Sequence, residues 1–307
     1  MSAKPKVLIT GVAGFIGSNL ADRLIREGYP VIGIDNLSYG IREQVPEGVE
    51  FHELDIRDAD IYSVFAGADV VFHLAAKNSL LDCQNDPVST MDNNVVGTAN
   101  VFEAAKRANA RKVVYAESSV LEEGDDRLTG FYAISKIADT KIAEGYRAAY
   151  GVTNVGLRYF NVYGPRQDYR RTIPPVMSKF IVTLLKGERP VVFEGDEANK
   201  RDFVYVDDVN DFHLRCITDD RVNNKMFQIG SGKNYSMRDV LAAVQNILGT
   251  NLTPVLKPRM PGDPPVVTLA NIADAAALGW SPTTSLEEGL RAMVSYIKAE
   301  VEKGNIK

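Results

Sequence analysis

The chain is poor in the residues that build metal centres and covalent frameworks. It has two cysteines, Cys83 and Cys216, and three histidines, His52, His73 and His213, all widely spaced. Two cysteines without a CxxC spacing exclude a disulfide framework and fit a reducing compartment. Scattered histidines argue against a His-rich metal site, so no metal is expected. Apolar runs such as "VVFHLAA" fall far short of the length that spans a bilayer. The opening "MSAKPKVLIT" enters a strand-like segment at once, without the pattern of a secretory leader. Nor is there a basic stripe: the net charge is -5 with both signs interspersed, so nucleic acid is not an expected partner. These absences leave a cytoplasmic protein without a membrane partner as the expectation.

What is present is a rhythm. Short β-branched runs ("KVLIT", "PVIGID", "VEFHEL", "DVVFHLA", "KVVYAES", "NVGLRYF") alternate with helical patterns after the first run and near 58–66, 87–108 and 131–150. Such alternation predicts an α/β fold with a parallel sheet covered on both faces and wound right-handed. The rhythm breaks after residue 165 into a loop, the helix-like "VMSKFIVTLLKG", the short strand "RPVVFEG" and the capped helix "SMRDVLAAVQNILG". Residues 1–165 are therefore expected to form a Rossmann-type doubly wound domain to which some later segments return. Residues 166–307 are expected to form mainly a smaller mixed α/β lobe.

"TGVAGFIG" sets Gly11, Gly14 and Gly17 between the first strand and the first helix. Glycines there allow a tight turn and let backbone N–H groups approach a pyrophosphate at the helix N-terminus. Asp35 closes the second strand, where a carboxylate accepts hydrogen bonds from an adenosine ribose and repels a 2′-phosphate. With no Arg or Lys after it until Arg42, NAD is favoured over NADP. Asp55 follows the third strand and either reaches the adenine or caps the helix at 58–66.

Tyr132 and Lys136 are four apart in a predicted helix and share one face. An ammonium beside a phenol stabilises the phenolate, and a nicotinamide cation in a water-poor cleft adds to the effect. Tyr132 is then suited to act as a general base near neutral pH. The pairing needs a charge that a nucleotide fold supplies, and the glycine loop points to such a fold.

In chain order, "TGVAGFIGSNL", "HLAA", "NVVGT", "YAISK", "RYFNVYGPRQ", "RDFVYVDDV", "QIGSGKNYS" and "LGWSPTTSLEEGL" resemble the signatures of the extended short-chain dehydrogenase/reductases, in their nucleotide-sugar epimerase and dehydratase group. The resemblance covers nearly the whole chain. It implies a bound NAD that is reduced and reoxidised within one turnover, a nucleotide-sugar substrate such as a UDP-hexose, and a homodimer paired through the helices at 87–108 and 131–150. It implies cofactor contacts from Gly11, Gly14, Phe15, Ile16 and Gly17, from Asp35, Asn36, Asp55 and Ile56, and from Leu74, Ala75, Ala76 and Lys77. Asn94 would lie beneath the cofactor, Tyr159 and Phe160 beside the nicotinamide, and Lys136 would bridge the nicotinamide ribose. Ser118 takes the Ser/Thr position that shares a proton with the sugar 4-hydroxyl and Tyr132, with Ser119 as the alternative register. Asn161 and Arg201 match residues that bind the substrate pyrophosphate, and Asp263 matches the acid that holds the nucleotide ribose. A guanidinium suits phosphate because its fork engages two oxygens at once. The other reading of Arg201 is an ion pair with Asp202 or Asp207.

Within that group the expected reaction is 4-epimerisation of a UDP-hexose such as UDP-glucose and UDP-galactose. A 4,6-dehydratase would carry an Asp-Glu pair directly after the Ser/Thr, and here those positions are Ser119 and Val120. A non-catalytic nucleotide sensor would tend to lose the Tyr-Lys pair, which is kept. A UDP-glucuronate substrate would need a cation such as Arg170 or Arg171, whose other reading is solvated loop charge.

Two features depart from the group's pattern. The segment between Ser118 and Tyr132 is short, which suggests a pocket open to bulkier sugars such as N-acetylated ones. Met260 stands before "PGD" where an arginine commonly helps bind the pyrophosphate, leaving Arg259 or Arg201 to serve. UDP should therefore bind more tightly to a Met260→Arg variant than to the wild type in calorimetry, and no gain would refute this reading.

Overall fold

The computed structural model describes residues 3–125, 128–171, 173–258 and 266–306. The chain divides into two compact units, Met1–Tyr159 with Asn210–Gln228, and Phe160–Val209 with Ile229–Lys307. The first carries a seven-stranded sheet: β1 (Val7–Thr10), β2 (Val31–Asp35), β3 (Glu50–Glu53), β4 (Val70–His73), β5 (Lys112–Ser118), β6 (Asn154–Tyr159) and β7 (Lys225–Ile229). Their order is β7-β6-β5-β4-β1-β2-β3. From β3 through to β6 every neighbouring pair is parallel. The connection order reverses at β1, which lies between β2 and β4, and open sheets of this kind bind ligands at the carboxyl ends of the strands beside such a switch.

The strands form where β-branched runs can be buried on both faces. All of β1, β2 and β4 is buried, whereas β3 at the sheet's edge exposes Glu50 and Glu53 and pairs Glu50 with Lys6. Charge on an edge strand discourages pairing with another chain. Leu8, Ile32, Phe65, Val71, Phe102 and Val113 join one apolar cluster in this unit. Helix α1 (Phe15–Arg26) follows β1 as anticipated. Helix α2 (Gly97–Arg107) and helix α3 (Phe131–Tyr150) fall within the other long helical patterns.

Two patterns turn out differently from a uniform helix. The 58–66 pattern yields only Ile61–Val64, with Asp60 at the N-cap position but making no side-chain cap. The 87–108 pattern is three pieces: Pro87–Met91, a π-helical turn Asp92–Val96, and α2. The wide turn carries Asn94, whose side chain is bonded to the backbone of Lys77 on both its N–H and its carbonyl. Strand β7 and helix Val206–Thr218 are not among the expected elements, although Val206, Val209, Phe212, Cys216 and Ile217 recur at helical spacing and form the buried face of the helix.

The second unit packs the helices Val176–Leu185, Met237–Leu248 and Leu286–Glu302 around Met177, Ile181, Val240, Val244, Leu290 and Ile297. Ser236 with Asp239, and Ser285 with Glu288, form reciprocal capping boxes at two of these helix starts. Both cysteines are buried and unbridged. Among the described residues no helix is long and apolar enough to cross a membrane.

The first unit also buries two histidines. His73 bonds Thr10 Oγ1 at 2.8 Å and Thr98 Oγ1 at 2.9 Å, and His213 bonds the Tyr159 hydroxyl at 2.7 Å. Burial lowers both rings to about 3, with the Lys136 ammonium adding to the effect on His73. Their contribution to stability is present above the unfolded value of about 6.5 and is lost as pH falls toward 3. Each should cost roughly 2 kcal/mol between pH 6.5 and 5. Urea unfolding should show a lower midpoint at pH 5 than at pH 7; an unchanged midpoint would mean the rings accept protons within the fold.

Candidate active site

The loop between β1 and α1 is built on close backbone approaches. Gly11 has φ +75, and a Cβ there would lie 2.7 Å from the Ala75 nitrogen. A Cβ on Gly17 would lie 2.1 Å from the Gly11 carbonyl oxygen. Gly14 forms the N-cap of α1 without a side-chain cap, and the first turn holds no acidic residue. Phe15 and Ile16 are the first helical residues, half-buried. The N–H groups at this helix start thus face a position suited to an anion.

Asp35 ends β2 beside the loop. Its carboxylate accepts from Ala13 N at 3.0 Å and Leu37 N at 2.8 Å. Burial pushes its carboxyl up, against the pull of those two N–H groups. Each oxygen retains acceptor capacity of the kind a ribose diol needs. Asn36 donates to Asp55 at 2.8 Å, and Asp55 is held by Arg57, which also reaches Asp92. The hydrogen bonds from Arg57 hold Asp55 well below the usual carboxylate range despite partial burial. Asp55 does not cap the following helix, because that helix starts later, at Ile61. Ile56 packs into the apolar cluster of the unit.

Leu74, Ala75, Ala76 and Lys77 run on from β4 as half-buried, irregular chain. Ala75 N donates to Thr10 Oγ1 at 3.3 Å. Asn94 clamps the backbone of Lys77 and donates to Ser135 Oγ at 3.0 Å. That last contact ties the π turn to α3 one residue before Lys136.

Helix α3 brings Tyr132 and Lys136 together as their spacing requires. The Lys136 Nζ lies 5.9 Å from the centre of the Tyr132 ring. Tyr132 is half-buried, whereas Lys136 is buried and donates to Ala116 O on β5 and to Asp139 Oδ2, both at 3.0 Å. Burial alone would push the ammonium down; the Asp139 carboxylate, then Tyr132 and Glu117, lift it above its ordinary value. Ser118 is the last residue of β5 and opposes Tyr159 across the β5–β6 pair. Its hydroxyl accepts from Val120 N at 3.3 Å, whereas Ser119 is buried in the short turn that follows. The residue before Ser118 is also fixed: Glu117 accepts from Arg158 Nε at 2.6 Å and from the Thr140 hydroxyl.

In the second unit Asn161 has φ 34 and donates to Asp202 O at 2.8 Å. Arg201 lies on the short strand Lys200–Asp202. The Asp202 carboxylate is engaged by Ser231, Gly232 N and Ala270 N. Arg170 meets Tyr169 and Glu300, and Arg171 pairs with Asp168 at 3.1 Å. Tyr159 and Phe160 are both buried. Arg259, Met260 and Asp263 lie outside the described residues.

The NAD dependent epimerase/dehydratase family matches residues 7–230, a span that includes the glycine loop, Ser118, Tyr132 and Lys136. The chain belongs to this family. A putative UDP-glucose 4-epimerase of Methanocaldococcus jannaschii is 33% identical over 305 residues, covering 95% of this chain and 98% of the relative. The UDP-glucose 4-epimerase of Thermotoga maritima, solved with UDP-glucose, superimposes with a TM-score of 0.90 at 32% identity over 96% of this chain and 99% of that one. A UDP-N-acetylglucosamine 4-epimerase of Methanobrevibacter ruminantium, solved with UDP-N-acetylmuramic acid, gives a TM-score of 0.90 at 30% identity over 97% and 100%.

The loop chemistry fits the family's dinucleotide: glycines that admit no Cβ, an uncapped helix start and a buried acceptor at the end of β2. The sequence reading did not single out Asp139, Glu117 or Arg158. Asp139 had a signal, since it follows Lys136 by three residues and so lies on the same helix face. Gly17→Ala should force the loop apart, so the purified variant should lose bound NAD on chromatographic assay and melt at a lower temperature. Full retention of both would show that the loop absorbs a methyl group.

Proposed function

We propose that the chain is an NAD-dependent UDP-sugar 4-epimerase that interconverts UDP-glucose and UDP-galactose through a 4-keto sugar. The observation that carries this reading is the Tyr132–Lys136 pair on α3, with the ammonium 5.9 Å from the ring centre, in a chain whose full-length relatives include 4-epimerases. Tyr132 takes the proton of the sugar 4-hydroxyl, Ser118 shares that proton, and Lys136 stabilises the phenolate. NAD, when bound, supplies the acceptor for the C4 hydride and its return. Gly11, Gly14, Phe15, Ile16 and Gly17 would hold its pyrophosphate region. Asp35 and Asn36 would hold its adenosine ribose. The segment Leu74–Lys77 would flank its path, with Asn94 fixing that segment. Asn161 and Arg201, with Arg259 and Asp263, would anchor the substrate's nucleotide while the keto sugar turns over.

In this reading residues 1–165, with later segments, serve the cofactor, and 166–307 mainly serve the nucleotide sugar. Exposed Val88, Val96, Ile134 and Ile137 on the helical patterns at 87–108 and 131–150 support a homodimer, and the unbridged cysteines support a cytoplasmic setting.

The 4,6-dehydratase reading lacks a catalyst for elimination, because Ser119 and Val120 occupy the positions of the acid and base. The glucuronate reading is weakened by the ion pairs that engage Arg170 and Arg171. An N-acetylated substrate is the second reading, supported by the short 118–132 connection and by the similarity to the Methanobrevibacter ruminantium enzyme.

A panel of UDP-sugars incubated with the enzyme, with products identified by NMR, tests the reaction class. A C4 epimer is expected, and Tyr132→Phe should lower kcat by roughly 10²–10⁴. A 4-keto-6-deoxy product, or no product from any sugar, would overturn the proposal.

A further inference from the structure

A line of buried polar groups runs behind the Tyr132–Lys136 pair. It begins at the backbone N–H of Ala75, which donates to Thr10 Oγ1 at 3.3 Å. Thr10 Oγ1 lies 2.8 Å from His73 Nδ1, and His73 Nε2 lies 2.9 Å from Thr98 Oγ1. The line stops at Thr98, for the buried Asp139 Oδ1 has no hydrogen-bond partner among the described residues. Asp139 Oδ2 receives the Lys136 ammonium at 3.0 Å.

The donors in this line have one consistent direction. Thr10, accepting from Ala75, gives its own proton to His73 Nδ1. The neutral ring then donates from Nε2 to Thr98. A protonated ring would present a second donor to Thr10 and break the sequence, and His73 is held neutral by its burial.

Asp139 is 2% exposed and Lys136 is 4% exposed, so water does little to screen the contact. The other titratable groups around the pair are already matched or neutral. Glu117 on β5 is paired with Arg158 on β6, which also meets Glu122 of the turn after β5. Asp92 of the π turn is paired with Arg57, and Glu103 on α2 with Lys106 and Arg107. Lys77 pairs with Asp86. Burial pushes up the Cys83 thiol of helix Leu80–Asn85 and the Tyr115 phenol of β5. Asp139 alone among these carboxylates is bonded to Lys136 in the described residues.

We infer that Asp139 is a positioning residue for the reaction, which holds Lys136 in place through its buried ion pair and tempers the positive charge that Lys136 presents to the Tyr132 phenol. This rests on the proposed role of Tyr132 as base. A carboxylate 3.0 Å from the ammonium opposes formation of a second anion on the phenol nearby. Removing that negative charge, with the shape kept, makes the phenolate easier to form and the buried ammonium easier to deprotonate. Both limbs of the pH profile then move to lower pH.

The test compares wild type with Asp139→Asn and Asp139→Glu, each in its NAD-loaded form. Two readouts are taken: the pH profile of kcat/KM for UDP-sugar epimerisation, and an ultraviolet difference titration of Tyr132, with the matching Tyr132→Phe protein subtracted. In Asp139→Asn, the acid limb and the phenol titration should both fall by about one pH unit. Asp139→Glu, which keeps the charge, should restore both toward wild type. Should the Asn variant fail to fold, Asp139→Ser provides the same loss of charge. Limbs and titration that stay at their wild-type positions, with only the melting temperature lowered, would overturn the inference. If wild type epimerises no UDP-sugar, the reading of the function fails, and the phenol titration still decides the role of Asp139.

Discussion

A buried ammonium must be held by acceptors, and much of the first unit is arranged to meet that demand. Lys136 has lost nearly all contact with water, so its charge is stable only because Ala116 O and Asp139 receive its protons. Those acceptors come from a strand and from the lysine's own helix. The helix must therefore lie at one depth and one rotation against β5. Ser135 tightens this further, because it links α3 to Asn94 and thence to the chain after β4. Three segments that are distant in sequence are thereby fixed relative to one ammonium group.

The glycine loop works by a different constraint, that of volume. Gly11 and Gly17 let the first turn of α1 close onto the end of β1 and the chain after β4. The approach is too near for a methyl group at either position. Asp35 is fixed by two backbone N–H groups rather than by a cation. A cation there would have used up the acceptor capacity that a ribose requires.

Much of this was legible in the sequence, and for definable reasons. The strands from "KVLIT" to "NVGLRYF" announced themselves because buried parallel strands are continuous β-branched runs. Tyr132 and Lys136 could be paired from their spacing, since i and i+4 share a helix face. The chain's membership of the epimerase/dehydratase family followed from the ordered motifs. Other features depended on three-dimensional neighbours. The π turn at Asp92–Val96 coincides with the hold of Asn94 on Lys77, a contact across 17 residues that no local propensity reports. Asp55 looked like a cap, but Arg57 claims it two residues on. The partnership of Glu117 with Arg158 joins adjacent strands and has no periodic trace. Asp139 could be placed on the face of Lys136 from sequence, yet its burial could not, because charged residues at such positions are usually solvated.

The π turn has a consequence for how the protein can vary. It holds one residue more than an α-helical turn would, and each residue rotates a helix by about 100°. Deleting a residue between Asp92 and Val96 would let the backbone relax to ordinary winding while swinging Pro87–Met91 around the axis, carrying Asn94 off its grip on Lys77. Lengthening the turn would swing it the other way. That stretch is thus a fixed tooth in the helix, free to change its side chains at exposed positions but not its residue count.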